Sequence, residues 1–189
     1  MSRSVVFRLS LAALIALYPF IVFLGLDVLP PGIIGLILAL LLIVRFGLVR
    51  PNERLAALPV GVILVAYAVG TALTGSTQLL LFYPVVVNTV FLILFAVSLF
   101  HDEPLLLRII RARGTTVSPI GAIYLWRLTA IWAGFFLVNG TIAAWTTTAD
   151  LQVWTLYNGL ISYFIVAVLI LGELAFRRHY KKRHNISDD

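Results

Sequence analysis

The chain contains no cysteine among its 189 residues. Disulfides, thiolate catalysis and cysteine-based metal sites are therefore excluded. Charge is scarce at 12% of residues, and acidic residues are scarcest, 8 against 14 basic. Also missing are a P-loop, an H-E-x-x-H pair, a nucleophile elbow and a dinucleotide fingerprint. No loop is long enough to form a separate catalytic domain. Strict apolar–polar alternation is absent from residues 35–44 and 91–100, which argues against a membrane β-barrel.

What fills the chain is apolar sequence, 61% of it. Runs of nearly 20 apolar residues recur, each able to cross a hydrocarbon layer roughly 30 Å thick. The expected fold is all-α: one integral membrane domain with six transmembrane helices over about 9–26, 31–44, 55–73, 78–100, 120–145 and 151–176. Arg3 and Arg8 precede the first run, and no A-x-A-like cleavage site follows it, so the run reads as a retained helix. Asp27 and Pro30-Pro31 break it, with Pro31 suited to the first turn of the next helix. Arg50-Pro51-Asn52-Glu53-Arg54 reads as a polar hinge, and Thr74-Gly75-Ser76-Thr77 as a tight turn.

Between the fourth and fifth spans, residues 104–113 have a different pattern. Leu105, Leu106, Ile109 and Ile110 share one side of a helix, with Arg108 and Arg111 on another. That is the signature of an amphipathic helix in the interface, held by apolar burial and anionic lipid. Gly114 ends it. A basic cytoplasmic tail occupies 177–189.

Six spans put the N-terminus, residues 45–54, residues 101–119 and the C-terminus on one side. That side receives Arg3, Arg8, Arg45, Arg50, Arg54, Arg108, Arg111, Arg113, Arg177, Arg178, Lys181, Lys182 and Arg183, thirteen of the fourteen basic residues. The fourteenth, Arg127, lies near the same face. The opposite loops carry only Asp27 and Asp150. The positive-inside rule then makes both termini cytoplasmic. The net charge of +6 is thereby explained by orientation, without a nucleic-acid partner. No repeat relates the two halves, as it does in many transporters.

The sequence reads as organised around 124–178, two apolar runs joined by the turn 146–150. Polar groups in hydrocarbon are costly and often functional. Asn139 and Asn158 lie at nearly equal depth on these antiparallel helices, so a bond between them is possible, as packing clamp or as substrate contact. Arg127 and Glu173 approach the cytoplasmic end, differing in depth by roughly 6 Å. They admit three readings: separate snorkelling, a partly buried ion pair, or a site for a lipid phosphate. Thr155, Asn158, Ser162, Leu169 and Glu173 share a stripe that should face the bundle or a second copy. Arg127, Gly134, Val138 and Thr141 share one face of the fifth helix, and Trp132, Phe135 and Asn139 another. Trp145 and Trp154 flank the outer turn as aromatic-belt anchors, and Asn88 stands alone on the fourth helix. His101-Asp102-Glu103 diverge in direction, and His179 and His184 sit among cations, so no metal or cofactor site is expected.

Pro104-Leu105, Arg108, Arg127-Leu128, Trp132, Phe135-Phe136, Asn139 and Trp154 together resemble the bacterial inner-membrane family called intracellular septation protein A. The likeness covers roughly 104–179. Tyr83-Pro84, Asn88, Asn139-Gly140 and Leu156-Tyr157-Asn158-Gly159 are similar to a sister group of small membrane proteins encoded beside aryl-polyene or fatty-acid-like biosynthesis genes. The first resemblance implies a part in cell-envelope maintenance or division through other inner-membrane proteins. The second implies an accessory role in making or moving a lipid-linked polyene. Neither implies a catalytic residue. The leading expectation is a non-enzymatic envelope scaffold or accessory subunit, possible as a homo-oligomer. The alternative is a small transporter or lipid-handling protein in which Arg127 grips an anionic headgroup and Asn139 and Asn158 line a cavity. An enzyme using Arg127, Glu173 or residues 101–103 ranks third.

Overall fold

A computed structural model describes residues 17–49 and 51–183, with side chains over 17–49 and 57–177. Arg3, Arg8, residues 9–16 of the expected first span, Arg50 and His184 lie outside the described residues, as do the side chains of Arg54, Arg178, His179, Lys181, Lys182 and Arg183. All regular structure among the described residues is helical. In chain order the helices are α1 (Tyr18–Gly25), α2 (Pro31–Gly47), α3 (Pro51–Thr74), α4 (Thr77–Ser98), α5 (Leu105–Ala112), α6 (Pro119–Thr146) and α7 (Leu151–Leu156). A single π-turn, Tyr157–Ile161, joins α7 to α8 (Ser162–Arg183).

Four helical segments are long and apolar enough to cross a membrane: Ala57–Thr74, Thr77–Ser98, Pro119–Thr146 and Leu151–Arg177. Their surfaces are inverted relative to those of a water-soluble bundle. Val62, Ile93, Ile131, Leu137, Leu160, Phe164 and Leu171 all face outward, an apolar exterior of the kind that marks contact with lipid or other proteins.

Local chemistry sets the helix ends. Ser118 caps α6 by accepting from the Gly121 N–H at 3.2 Å, and Pro119 occupies the first turn, where its missing donor costs nothing. Ser76 caps α4 through the Leu79 N–H at 3.4 Å. Gly75 supplies φ +60° between α3 and α4, and Gly114 supplies φ +84° after α5, a region costly for residues with a Cβ. The expected polar hinge at 50–54 is absorbed into structure, because α3 begins at Pro51. Proline at a first helical position starts a helix as readily as it ends one.

Two close helix pairs dominate the packing, α2 with α3 and α4 with α6. Glycine makes the first possible. A Cβ on Gly35 would stand 2.8 Å from the Ala72 backbone nitrogen, and one on Gly32 would stand 2.9 Å from the Ala72 carbonyl oxygen. Small residues of this kind let membrane helices approach closely. The second pair is an aromatic contact: Phe136 lies between Phe91 and Phe95, with ring centroids 5.2 and 5.3 Å away. At the same interface Gly140 accommodates Asn88, whose Cβ lies 3.0 Å from where a Gly140 Cβ would be. The expected organising hairpin is therefore not the main contact. Helix α6 packs chiefly on α4, across the intervening α5, while α7 and the π-turn hold α1.

Candidate functional site

The polar centre of the bundle begins with a proline. Pro84, inside α4, has no N–H for the Leu80 carbonyl four residues earlier. Tyr18 supplies the missing donor, its hydroxyl 2.8 Å from that oxygen. The carbonyls on either side are also met by side chains: Tyr67 Oη donates to Leu79 O at 2.9 Å, and Trp154 Nε1 donates to Leu81 O at 2.9 Å. One turn of α4 thus receives donors from α1, α3 and α7. Trp154 is 0% exposed and edges onto Tyr18, with centroids 6.5 Å apart; Tyr18 lies 4.8 Å from Tyr83. Trp154 is consequently not the interfacial anchor its position suggests, whereas Trp145 faces outward as expected.

One turn further along α4, the Asn88 amide donates to Pro84 O at 2.8 Å. Its Oδ1 accepts from Asn139 Nδ2 at 2.9 Å, and Asn139 Oδ1 accepts from the Tyr157 hydroxyl at 3.0 Å. This chain links α4, α6 and the π-turn. Asn158 lies beside it and bonds elsewhere, donating to Thr146 Oγ1 at 3.0 Å and Trp154 O at 2.9 Å. In place of the possible Asn139–Asn158 bond there are two separate clamps. Equal depth does not bring two side chains together unless helix rotation also points them at each other, and Asn139 points to α4. The π-turn changes that rotation after Tyr157. Gly159 sits in it with its absent Cβ only 2.8 Å from the Phe20 ring, so α1 can lie against the turn. Such single π-turns recur at functional sites.

At the other end of α6, of the readings open for Arg127 and Glu173, the ion pair between them does not form. Glu173 accepts from the Tyr124 hydroxyl at 3.0 Å and lies 3.9 Å from Arg177 one turn later on α8. Tyr124 and Phe176 stack beside it at 6.2 Å. Arg127 points outward, and no described residue gives it a hydrogen bond or an ion pair. The expected face of Arg127, Gly134, Val138 and Thr141 is exposed throughout. Thr155 and Asn158 are buried and Ser162, Leu169 and Glu173 half-buried, as a bundle-facing stripe requires.

Comparison with family models, curated proteins and solved structures finds no match. The side chains must carry the functional argument.

Helix α5 is held on the bundle by Leu107, which is buried, and by Ser98, whose Oγ accepts from the Leu105 N–H at 3.0 Å. Arg111 pairs with Glu103, while Arg108 and Arg113 are exposed. His101 Nδ1 lies 2.9 Å from Val97 O in its own helix. Among the described residues no group of three His, Cys, Asp or Glu side chains is positioned to hold a metal ion. Every buried side-chain nitrogen and oxygen among them has a hydrogen-bond partner. Sequence reasoning missed Pro84, Tyr18, Tyr67, Thr146 and Tyr157 as members of the polar centre. The available signal was proline within a membrane helix, which requires a donor from elsewhere.

Proposed function

We propose that this protein is a non-enzymatic scaffold or accessory subunit in a bacterial inner membrane. It spans the bilayer six times with both termini cytoplasmic, and serves envelope maintenance or a membrane-bound lipid or polyene pathway. Four crossing-length helices support the membrane placement, and α2, at 17 residues, adds a fifth length of about 26 Å. The distribution of basic residues supports the orientation. Helix α5 is proposed to lie in the interface, with Arg108 and Arg113 toward anionic lipid and partner proteins. The envelope role rests on the resemblance carried by Trp132, Phe136, Asn139 and Trp154.

The observation that carries the scaffold reading over the transport one is the use of the intramembrane asparagines. Asn88, Asn139 and Asn158 bond to one another's helices and to backbone, which is what a clamp needs and what a solvated transport cavity would not use. Asn139→Ala leaves Asn88 Oδ1 and the Tyr157 hydroxyl without their partner, so unfolding in mixed micelles should come earlier by about 1–3 kcal/mol. Partner proteins recovered by gentle extraction should persist in any variant that stays folded. A variant with unchanged stability that loses a transport or lipid-transfer activity would sink the scaffold and favour a cavity.

A further inference from the structure

Arg127 is the one charged residue in the 28 residues of α6. It is exposed, among side chains that are themselves exposed and apolar: Trp126, Ile131 at 55% and Val138 at 59%. Glu173, toward the same end of α6, is already engaged by Tyr124 and Arg177. No described residue offers Arg127 a counter-charge, which leaves the surrounding headgroups to supply one. Depth makes that charge a headgroup. Helix α6 is about 42 Å long against a hydrocarbon layer of about 30 Å. Centred, it leaves Arg127, eight residues after Pro119, about 6 Å inside the hydrocarbon, a distance that an arginine stem spans.

The surface beyond the guanidinium has the matching shape. Two turns on, between Ile131 and Val138, Gly134 has nothing within 4 Å of where its Cβ would be. This is a notch open to the outside. A cation at the headgroup boundary followed by an apolar notch along the helix matches an amphiphile with an anionic head. From this we infer that α6 holds one anionic phospholipid, its phosphodiester on Arg127 and an acyl chain along Ile131, Gly134 and Val138. The inference rests on the membrane placement proposed above, and it adds a ligand to the scaffold.

The test uses the full chain in nanodiscs of phosphatidylcholine with a minor fraction of phosphatidylglycerol, released and weighed by native mass spectrometry. Wild type should retain phosphatidylglycerol in preference to phosphatidylcholine. Arg127→Ala should lower that retention about fivefold, as expected for one basic residue at a charged membrane surface. Arg127→Lys should keep most of it, and Gly134→Leu should lower retention of both lipids. Arg113→Ala removes an equal charge from α5, where it meets headgroups without an acyl-chain contact, and should lower the retention by clearly less than Arg127→Ala does. Equal loss in Arg113→Ala would mean diffuse attraction and overturn the site, as would unchanged retention in Arg127→Ala. Displacement of the lipid by millimolar inorganic phosphate would overturn the acyl-chain part and assign a free-phosphate site. A wild-type chain that enters no nanodisc would fail at membrane placement, and the lipid site with it.

Discussion

Replacing Trp154 with alanine should destabilise the fold by about 3–5 kcal/mol, the cost of emptying a fully buried aromatic site. The indole is 0% exposed, so a cavity opens where α1, α4 and α7 meet. The Leu81 carbonyl also loses the Nε1 donor at 2.9 Å. Trp154→Phe separates the two effects. It keeps most of the volume and loses only the donor, so it should cost about 1–3 kcal/mol. Unfolding followed by tryptophan fluorescence and circular dichroism in graded detergent mixtures reads both values. A midpoint unmoved by Trp154→Ala would mean the indole sits at an interface, as its place beside the outer turn suggests.

Gly35→Leu should have the second-largest effect, at or beyond the upper end of the about 1–3 kcal/mol typical of overpacking. The reason lies in what the new carbon would meet. Ala72 N at 2.8 Å and Ala72 Cα at 3.1 Å are backbone atoms, and they cannot rotate away as a side chain can. Helices α2 and α3 would have to separate, loosening Ile34 and Leu38 against Leu64 and Ala68 in the core. The lack of native cysteine makes the separation measurable: spin labels at Leu40→Cys and Val62→Cys should move apart in the variant. Gly70→Leu on α3 is the control, since its Cβ would meet nothing within 4 Å and should change stability by no more than about 0.5 kcal/mol. An unchanged label distance in Gly35→Leu would refute the close approach.

Much of the helical pattern was visible in the amino-acid order because hydrophobic length and capping are local. Ser76, Ser118, Pro119, Gly75 and Gly114 mark the ends of helices near where the apolar runs begin and stop. The division of α6 into faces is also legible, though not which face turns inward: Arg127, Gly134 and Val138 are exposed and Asn139 is buried. Neighbour relations were not visible. Depth along a helix follows from counting residues, but adjacency depends on which helices share an interface, and α4 and α6 are separated in sequence by α5. Hence Asn88 stands alone on its helix in the sequence although Asn139 is 2.9 Å away, and depth alone admits an Arg127–Glu173 pair although Tyr124 holds Glu173. The π-turn left no periodic trace, since five residues of altered pitch do not change which residues are apolar.

The proline in α4 also imposes an order on assembly. Tyr67 lies only 12 residues before Leu79, so the donor for that carbonyl arrives within the same helical hairpin. Tyr18 precedes Leu80 by 62 residues and is already made when α4 emerges. Trp154 follows Leu81 by 73 residues. A chain synthesised from its N-terminus therefore holds the Leu81 oxygen without its indole partner until α5 and α6 have been made. That oxygen keeps its place in the helical ladder meanwhile, so the first four helices pack with one side-chain donor still to come. The arrival of α7 supplies it, after α6 has brought the broad contact with α4.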